Sequence, residues 1–276
     1  MNSINAENLS IAYEEKLIVK GLDMCIPKGK ITTIIGPNGC GKSTLLKAVG
    51  RILKPKDGIV YLNGEDIHNL TTKEIAQKMA ILPQSPQAPS GLTVGELVAY
   101  GRFPHQKGFG KLKEEDKEII QWALEVTKIL EFETTIVDNL SGGQRQRVWI
   151  AMALAQGTNL ILLDEPTTYL DLSYQLEVLE LLYNLNKKQN KTIVMVLHDL
   201  NLASRFADHM VAIRCGEIIS HGDPEKVMTP EILKEVFNID AHIVRDPRKG
   251  CLTCISYDLI KNKNNMCAKI CGGMNI

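Results

Sequence analysis

The chain has 276 residues, enough to bury a large core as one big domain or as a domain with an appendage. Lys plus Arg and Asp plus Glu both number 32, so the net charge is zero, which argues against bulk electrostatic attraction to nucleic acid or anionic lipid. The polar start "MNSINAENLS" lacks a signal-peptide core, and no apolar run approaches the ~18 residues of a membrane span. The expectation is a soluble protein that serves a membrane, if at all, from its surface. Seven cysteines, an odd number, fit a reducing compartment better than a disulfide framework.

Taken in chain order, "KITTIIG" (30–36) predicts a strand and "KSTLLKAVGRIL" (42–53) the helix that follows it. Strands are predicted at 58–64 and 79–84. Between 86 and 156 the strand signals fade, and helices are predicted at 93–102, 114–130 and 145–156. A buried strand "NLILLDEP" (159–166), a helix at 173–189, a strand at 191–199 and a strand pair at 210–219 complete the pattern. The fold class this predicts is α/β, with a largely parallel sheet interrupted by a helical insert. Only the end, "KNKNNMCAKICGGMNI", reads as loosely structured.

Between the first strand and its helix, Gly36 to Ser43 matches G-x-x-x-x-G-K-[ST] without a gap. The loop Gly36, Pro37, Asn38, Gly39, Cys40, Gly41, Lys42, Ser43, Thr44 is suited to cradling phosphates. Its glycines let backbone N–H groups approach phosphate oxygens, Lys42 places a cation at the β/γ positions, and the Ser43 hydroxyl can ligate Mg²⁺. In "LILLDEP", four apolar residues end in carboxylates at the edge where open α/β sheets bind ligands. Asp164 is expected in the Mg²⁺ shell and Glu165 as the group that polarises water against the γ-phosphate. Gln84, just past a strand, can reach the metal or that water, and His198 at the end of "VMVLH" is expected on the γ-phosphate rather than as an ordinary surface histidine. Cys40 lies near Lys42 and a helix N-terminus, which predicts a reactive thiolate against the alternative of an inert loop cysteine.

"LSGGQRQR" (140–147) puts a serine and two glycines at the mouth of another helix, a second anion cradle in one chain. By itself Ser141 could be a plain helix N-cap.

"GPNGCGKST", Gln84, "LSGGQ", "ILLDEP", "YLD" and His198, in this order, resemble the ATP-binding cassette ATPase subunits of membrane transporters, over residues 1 to about 257. The resemblance implies a P-loop NTPase core with an antiparallel N-terminal β region and an inserted helical subdomain. It divides the chain into a cassette at 1–240 (core 1–85 and 157–240, helical subdomain 86–156) and a tail at 241–276. It implies that Tyr13 stacks on adenine. It also resolves the two cradles: in such proteins two cassettes pair head to tail, and Ser141, Gly142, Gly143 and Gln144 close over the γ-phosphate held by the other chain's Lys42, with Asp171 at the seam.

A single cassette with no span implies integral membrane permease subunits as partners, a substrate-binding protein indirectly, and a peripheral place on the cytoplasmic face of the membrane. "LTVGELVAYGRFPH", "DEPTTYLDLSYQLEVL", "LHDLNLASRFAD" and "GDPEKVMTPEILKEVF" look like importers of ferric siderophores, with cobalamin and haem importers as the alternative. A soluble cassette ATPase working on ribosomes or DNA is disfavoured, because the chain lacks a second cassette, a coiled-coil insert and basic extensions. A small-molecule kinase is disfavoured by "LSGGQ".

Cys251, Cys254, Cys267 and Cys271 form C-x₂-C-x₁₂-C-x₃-C. Such pairs can bind zinc or an iron–sulfur cluster, but the spacing departs from the usual zinc ribbon and the resemblance supplies no metal here. The expectation is an unliganded tail.

Overall fold

The computed structural model describes residues 2–106, 111–168 and 170–260. In chain order the strands and helices are β1 (Asn2–Tyr13), β2 (Lys16–Pro27), β3 (Ile31–Ile35), α1 (Lys42–Val49), β4 (Asp57–Leu62), β5 (Glu65–Asp66), α2 (Thr72–Lys78), β6 (Met79–Leu82), α3 (Val94–Ala99), α4 (Glu114–Val126), α5 (Gly142–Ala155), β7 (Leu160–Asp164), α6 (Leu172–Gln189), β8 (Thr192–Val196), α7 (Leu200–Phe206), β9 (His209–Arg214), β10 (Glu217–Gly222), α8 (Pro224–Val227), α9 (Pro230–Phe237), β11 (Ile239–Arg245) and β12 (Leu252–Leu259). The class is α/β, as predicted.

Two compact units are present, Met1–Asn69 with Val194–Ile276, and Leu70–Ile193. In the first, β2-β1-β4-β5 form an antiparallel sheet. Beside one another lie β10, β9, β3 and β8, with β3 and β9 parallel and β9 and β10 antiparallel. All five residues of β3 are buried, the continuous apolar run of a strand covered on both faces. β11 and β12 make a separate two-stranded hairpin. In the second unit β6 and β7 pair in parallel, and α2 and α5 both pack on β6. The structural units group elements by packing, so β6, β7 and α6 fall with the helices, whereas the sequence division at 86 and 156 groups them by element type.

Element ends shift for local reasons. α1 stops at Gly50, not at residue 53. The helix expected through residue 102 ends at Ala99 and tightens into a 3₁₀ turn, Tyr100–His105, that accommodates Pro104. α4 ends at Val126 rather than 130, capped by Thr127, after which Lys128 takes φ 58°. α5 begins three residues earlier than expected, because Ser141 and Gln144 form a capping box. The expected tail is structured through its first part: β11 and β12 occupy 239–259, a hairpin the sequence reading did not anticipate. Residues 261–276, and with them Cys267 and Cys271, lie outside the described residues.

One buried ion pair knits the helical part of the second unit. Arg102 Nε donates to Asp116 Oδ1 at 2.8 Å and its Nη1 to the Ala155 carbonyl at 2.9 Å, joining the 3₁₀ turn, α4 and the end of α5. Burial alone would raise the Asp116 carboxyl, but the Lys113 N–H and the Arg102 guanidinium hold it below its ordinary value. A depressed carboxylate contributes stability above its unfolded pKa and loses it as pH falls through the folded value. Arg102→Met strands the Asp116 charge and should cost about 3 kcal/mol, a fall of roughly 6–10 °C in Tm by calorimetry. The double variant with Asp116→Leu should recover most of it. A loss under about 1 kcal/mol in the single variant would contradict the assignment.

Candidate functional site

In the first unit, β3 delivers the chain into the glycine loop. A Cβ at Gly36 would sit 2.2 Å from the Ile213 carbonyl oxygen, so only glycine fits. Gly41, at φ 107°, caps α1, whose first turn carries no acidic residue and so keeps its positive end for an anion. Lys42 is only 5% exposed, and its ammonium donates to the carbonyls of Gly36 and Pro37, both at 2.9 Å. The cation is thus folded over its own loop. Asn38 and Gly39 are exposed at the tip, and Ser43 and Thr44 are half-buried in the first turn of α1. Cys40 corrects an expectation: at 3% exposure its thiol is buried, so the reactive loop cysteine predicted from charge alone is closed to reagents.

β8 lies beside β3, and the Leu197 N–H donates to the Ile34 carbonyl at 3.2 Å. The next residue, His198, therefore emerges at the same strand edge as the glycine loop, where ligands of open α/β sheets bind. Tyr13 ends β1 and is 42% exposed, so it is accessible for stacking.

The second unit holds the carboxylates. β7 is buried throughout and ends at Asp164, 3% exposed. Glu165, 9% exposed, takes φ 51°, a left-handed conformation that costs a non-glycine residue about 1–3 kcal/mol and clusters at functional sites. Leu82 of β6 pairs with Leu163 of β7, which brings Gln84 opposite Glu165. Gln84 Nε2 donates to Glu165 Oε2 at 2.5 Å, and Thr168 Oγ1 donates to the same oxygen at 3.0 Å. One carboxylate oxygen is thereby pinned, which fixes the direction of the other.

At the start of α5, the Ser141 hydroxyl accepts from the Gln144 N–H at 3.3 Å, and the Ser141 N–H donates to Gln144 Oε1 at 2.9 Å. Ser141 is thus an N-cap, and it is exposed; a Cβ at Gly142 would meet nothing within 4 Å, so this helix mouth is open. Gly143 lies against the Tyr174 ring, 3.4 Å from its would-be Cβ, and Arg147 covers that ring at 5.3 Å while pairing with Glu177. Asp171 caps α6, accepting from the Tyr174 N–H at 3.0 Å and the Ser173 hydroxyl at 2.8 Å. Those bonds, the Tyr174 N–H first, hold its carboxyl below the usual range and keep it anionic. Gln146 Nε2 reaches the Pro166 carbonyl at 2.9 Å, linking α5 to the turn after Glu165.

The structure thus joins Gln84 to Glu165 by a direct bond and sets His198 beside the glycine loop. Of the tail cysteines, only Cys251 and Cys254 fall among the described residues. Cys254 is buried in β12, its Sγ 3.4 Å from the Ser256 carbonyl, and burial pushes its thiol pKa up, away from a metal-ligating thiolate. Among the described residues no three His, Cys, Asp or Glu side chains gather as a metal site. Thr168, Gln146 and Tyr174 were not anticipated from the sequence. Thr168 alone had a local signal, a hydroxyl three residues past Glu165.

Residues 19–168 match the ABC transporter family model. The chain is 61% identical over 266 residues to the iron(3+)-hydroxamate import ATP-binding protein FhuC of Bacillus subtilis (strain 168), covering 96% of this chain and 99% of that one. It is 45% identical over 247 residues to the ferric enterobactin transport ATP-binding protein FepC of Escherichia coli (strain K12), covering 90% and 91%. Among solved structures it is similar to the ATP-binding cassette MJ0796, solved as a dimer in a post-hydrolysis state bound to ADP and Pi. There the TM-score is 0.71 at 31% identity, over 80% of this chain and 98% of that one.

Proposed function

The chain belongs to the ABC transporter family of ATPases, and on that premise we propose that it powers uptake of a ferric siderophore of the hydroxamate class through a membrane permease. The observation that carries the cargo is the 61% identity to an iron(3+)-hydroxamate import protein along nearly the whole of both chains. The chain docks as a peripheral subunit on the cytoplasmic face of its permease, paired with a second cassette, and a substrate-binding protein feeds the assembly from the other side. No helix among the described residues is long and apolar enough to cross a membrane.

In this reading the glycine loop and Lys42 hold the ATP phosphates, Tyr13 stacks on the base, and His198 contacts the γ-phosphate. Mg²⁺ fits the donor set: the Ser43 hydroxyl, the Asp164 carboxylate and the Gln84 amide oxygen are hard oxygen ligands, and Gln84 already spends its N–H on Glu165. The ion, when bound, offsets the charge that develops on the phosphates. Glu165, pinned through Oε2, aligns water and accepts its proton as the γ-phosphoryl bond breaks. Ser141, Gly142, Gly143, Gln144 and Asp171 complete the site of the partner cassette, so neither chain hydrolyses ATP efficiently alone.

Uptake of ⁵⁵Fe-loaded hydroxamate siderophore, in cells deleted for their own import ATPase and supplied with this chain and a cognate permease, tests the proposal. Restored iron uptake is expected; restored cobalamin or haem uptake with no iron uptake would replace the cargo.

The permease contact has a candidate on the helical part of the second unit. Tyr100 and Phe103 stack at 4.7 Å between ring centroids and are both exposed, 36% and 56%. An aromatic pair held out in solvent is suited to a protein surface. Replacing both with Ser should leave ATP turnover of the permease-free protein, at concentrations where its cassettes pair, within about twofold and reduce uptake by tenfold or more, as expected when an aromatic anchor worth over ~1.4 kcal/mol is lost. Unchanged uptake would exclude this pair from the interface.

A further inference from the structure

We infer that Asn201 is a positioning residue for His198, tethering the helix behind it to the C-terminal hairpin so that turnover depends on that hairpin. The inference rests on the proposed contact of His198 with the γ-phosphate.

His198 is held from two sides. On one, the Leu197 N–H is bonded to the Ile34 carbonyl of β3, as described. On the other, Asp199 caps α7 by accepting from the Leu202 N–H at 2.8 Å. α7 has only seven residues, too few to hold itself in water, so its position depends on what it packs against. One support is β3, through Thr33 Oγ1 and the Ala203 carbonyl at 3.4 Å. The other is β12. Asn201 Nδ2 donates to the Cys254 carbonyl at 3.0 Å, and the Cys254 N–H donates back to Asn201 Oδ1 at 2.7 Å. The side-chain amide thus reads both backbone groups of one residue 53 positions away, as a paired strand would, with fixed direction.

The tether matters because the space next to it is hollow. A cavity of about 580 Å³ is lined by His198, Leu200, Phe237, Ile239, Cys254 and Tyr257. On this side His198 has room rather than a packed wall, and close packing is what ordinarily stops a side chain and its backbone from shifting. β3 holds the residue before His198 and meets α7 at Ala203, and the amide clamp adds a directional contact from the hairpin to the first turn of α7. Misplacing a reacting group by about 1 Å can cost as much as 10²-fold in rate. Among the described residues no other side chain in the first turn of α7 is bonded to the hairpin through both backbone groups of one residue.

The test uses the full chain. Asn201→Ala should lower kcat by about tenfold while KM for ATP stays within about twofold, because the clamp acts on geometry rather than on nucleotide capture. In histidine-labelled protein, the imidazole resonance that disappears in His198→Ala should shift in Asn201→Ala with nothing else than α7 and the hairpin moving. Where Asn201→Ala lowers the yield of folded protein, Cys254→Pro removes the same N–H from the other side and carries the same expectations. A kcat within twofold of the parent, or a lost kcat with the His198 resonance unmoved, would overturn the tether. His198→Ala separates the two layers. If it keeps full turnover, the γ-phosphate reading of His198 fails; if it is inactive while Asn201→Ala is fully active, only the tether fails.

Discussion

Glu165→Gln is expected to lower ATP turnover by at least about 100-fold while ATP still binds. The amide has the size and one acceptor of the carboxylate, so the bonds from Gln84 Nε2 and Thr168 Oγ1 can be kept. The left-handed backbone at residue 165 is no harder for Gln than for Glu. What is lost is basicity, the ability to take a proton from the attacking water. If the proposed shared site holds and hydrolysis opens it, the variant should accumulate as an ATP-bound dimer and remain monomeric with ADP. Size-exclusion chromatography with light scattering in the two nucleotides reads this directly. A variant that turns over at more than a tenth of the parent rate would remove Glu165 from the chemistry, and one that stays monomeric with ATP would count against the shared site.

Gly142→Asp is expected to abolish hydrolysis without harming the fold or the chain's own grip on ATP. The position is open, with nothing within 4 Å of a new Cβ. An acidic residue in the first turn of a helix is stabilising by about 0.3–1 kcal/mol, so Tm should hold or rise. In the proposed shared site the same charge would face the γ-phosphate offered by the partner cassette, and repulsion would block closure. Stability and turnover therefore move apart, which a misfolded variant cannot do. ATP affinity of the separate chain, by titration calorimetry, should be unchanged. Mixed with Lys42→Ala, which keeps a sound signature helix but a crippled glycine loop, the variant should regain turnover, since each mixed dimer contains one intact composite site. A collapse of ATP affinity in Gly142→Asp alone, or no recovery on mixing, would mean that the cradle serves its own chain.

The sequence by itself determined the phosphate loop, the carboxylates at the end of a buried strand and the capped signature helix. Each is encoded within a few residues: a glycine where a Cβ would strike a carbonyl, an apolar run of strand length, a serine three positions ahead of a glutamine. The resemblance to cassette ATPases rests on those same short signals. The sequence misplaced helix ends by a few residues where a 3₁₀ turn or a positive φ took over, and it read Cys40 as reactive because charge is visible in a sequence and burial is not. It passed over β11 and β12, whose apolar residues point as much to solvent as inward: Ile255, Tyr257 and Leu259 are all exposed. Tertiary structure alone decided the rest. The Gln84–Glu165 bond spans 81 positions, the Asn201–Cys254 pair 53, and the Arg102–Ala155 bond 53. Backbone sterics and helical periodicity act over about four residues, so they write themselves into local sequence. Which strand lies beside which is set by the burial of the whole chain, and only that arrangement decides which carboxylate oxygen is pinned and which helix a distant hairpin holds in place.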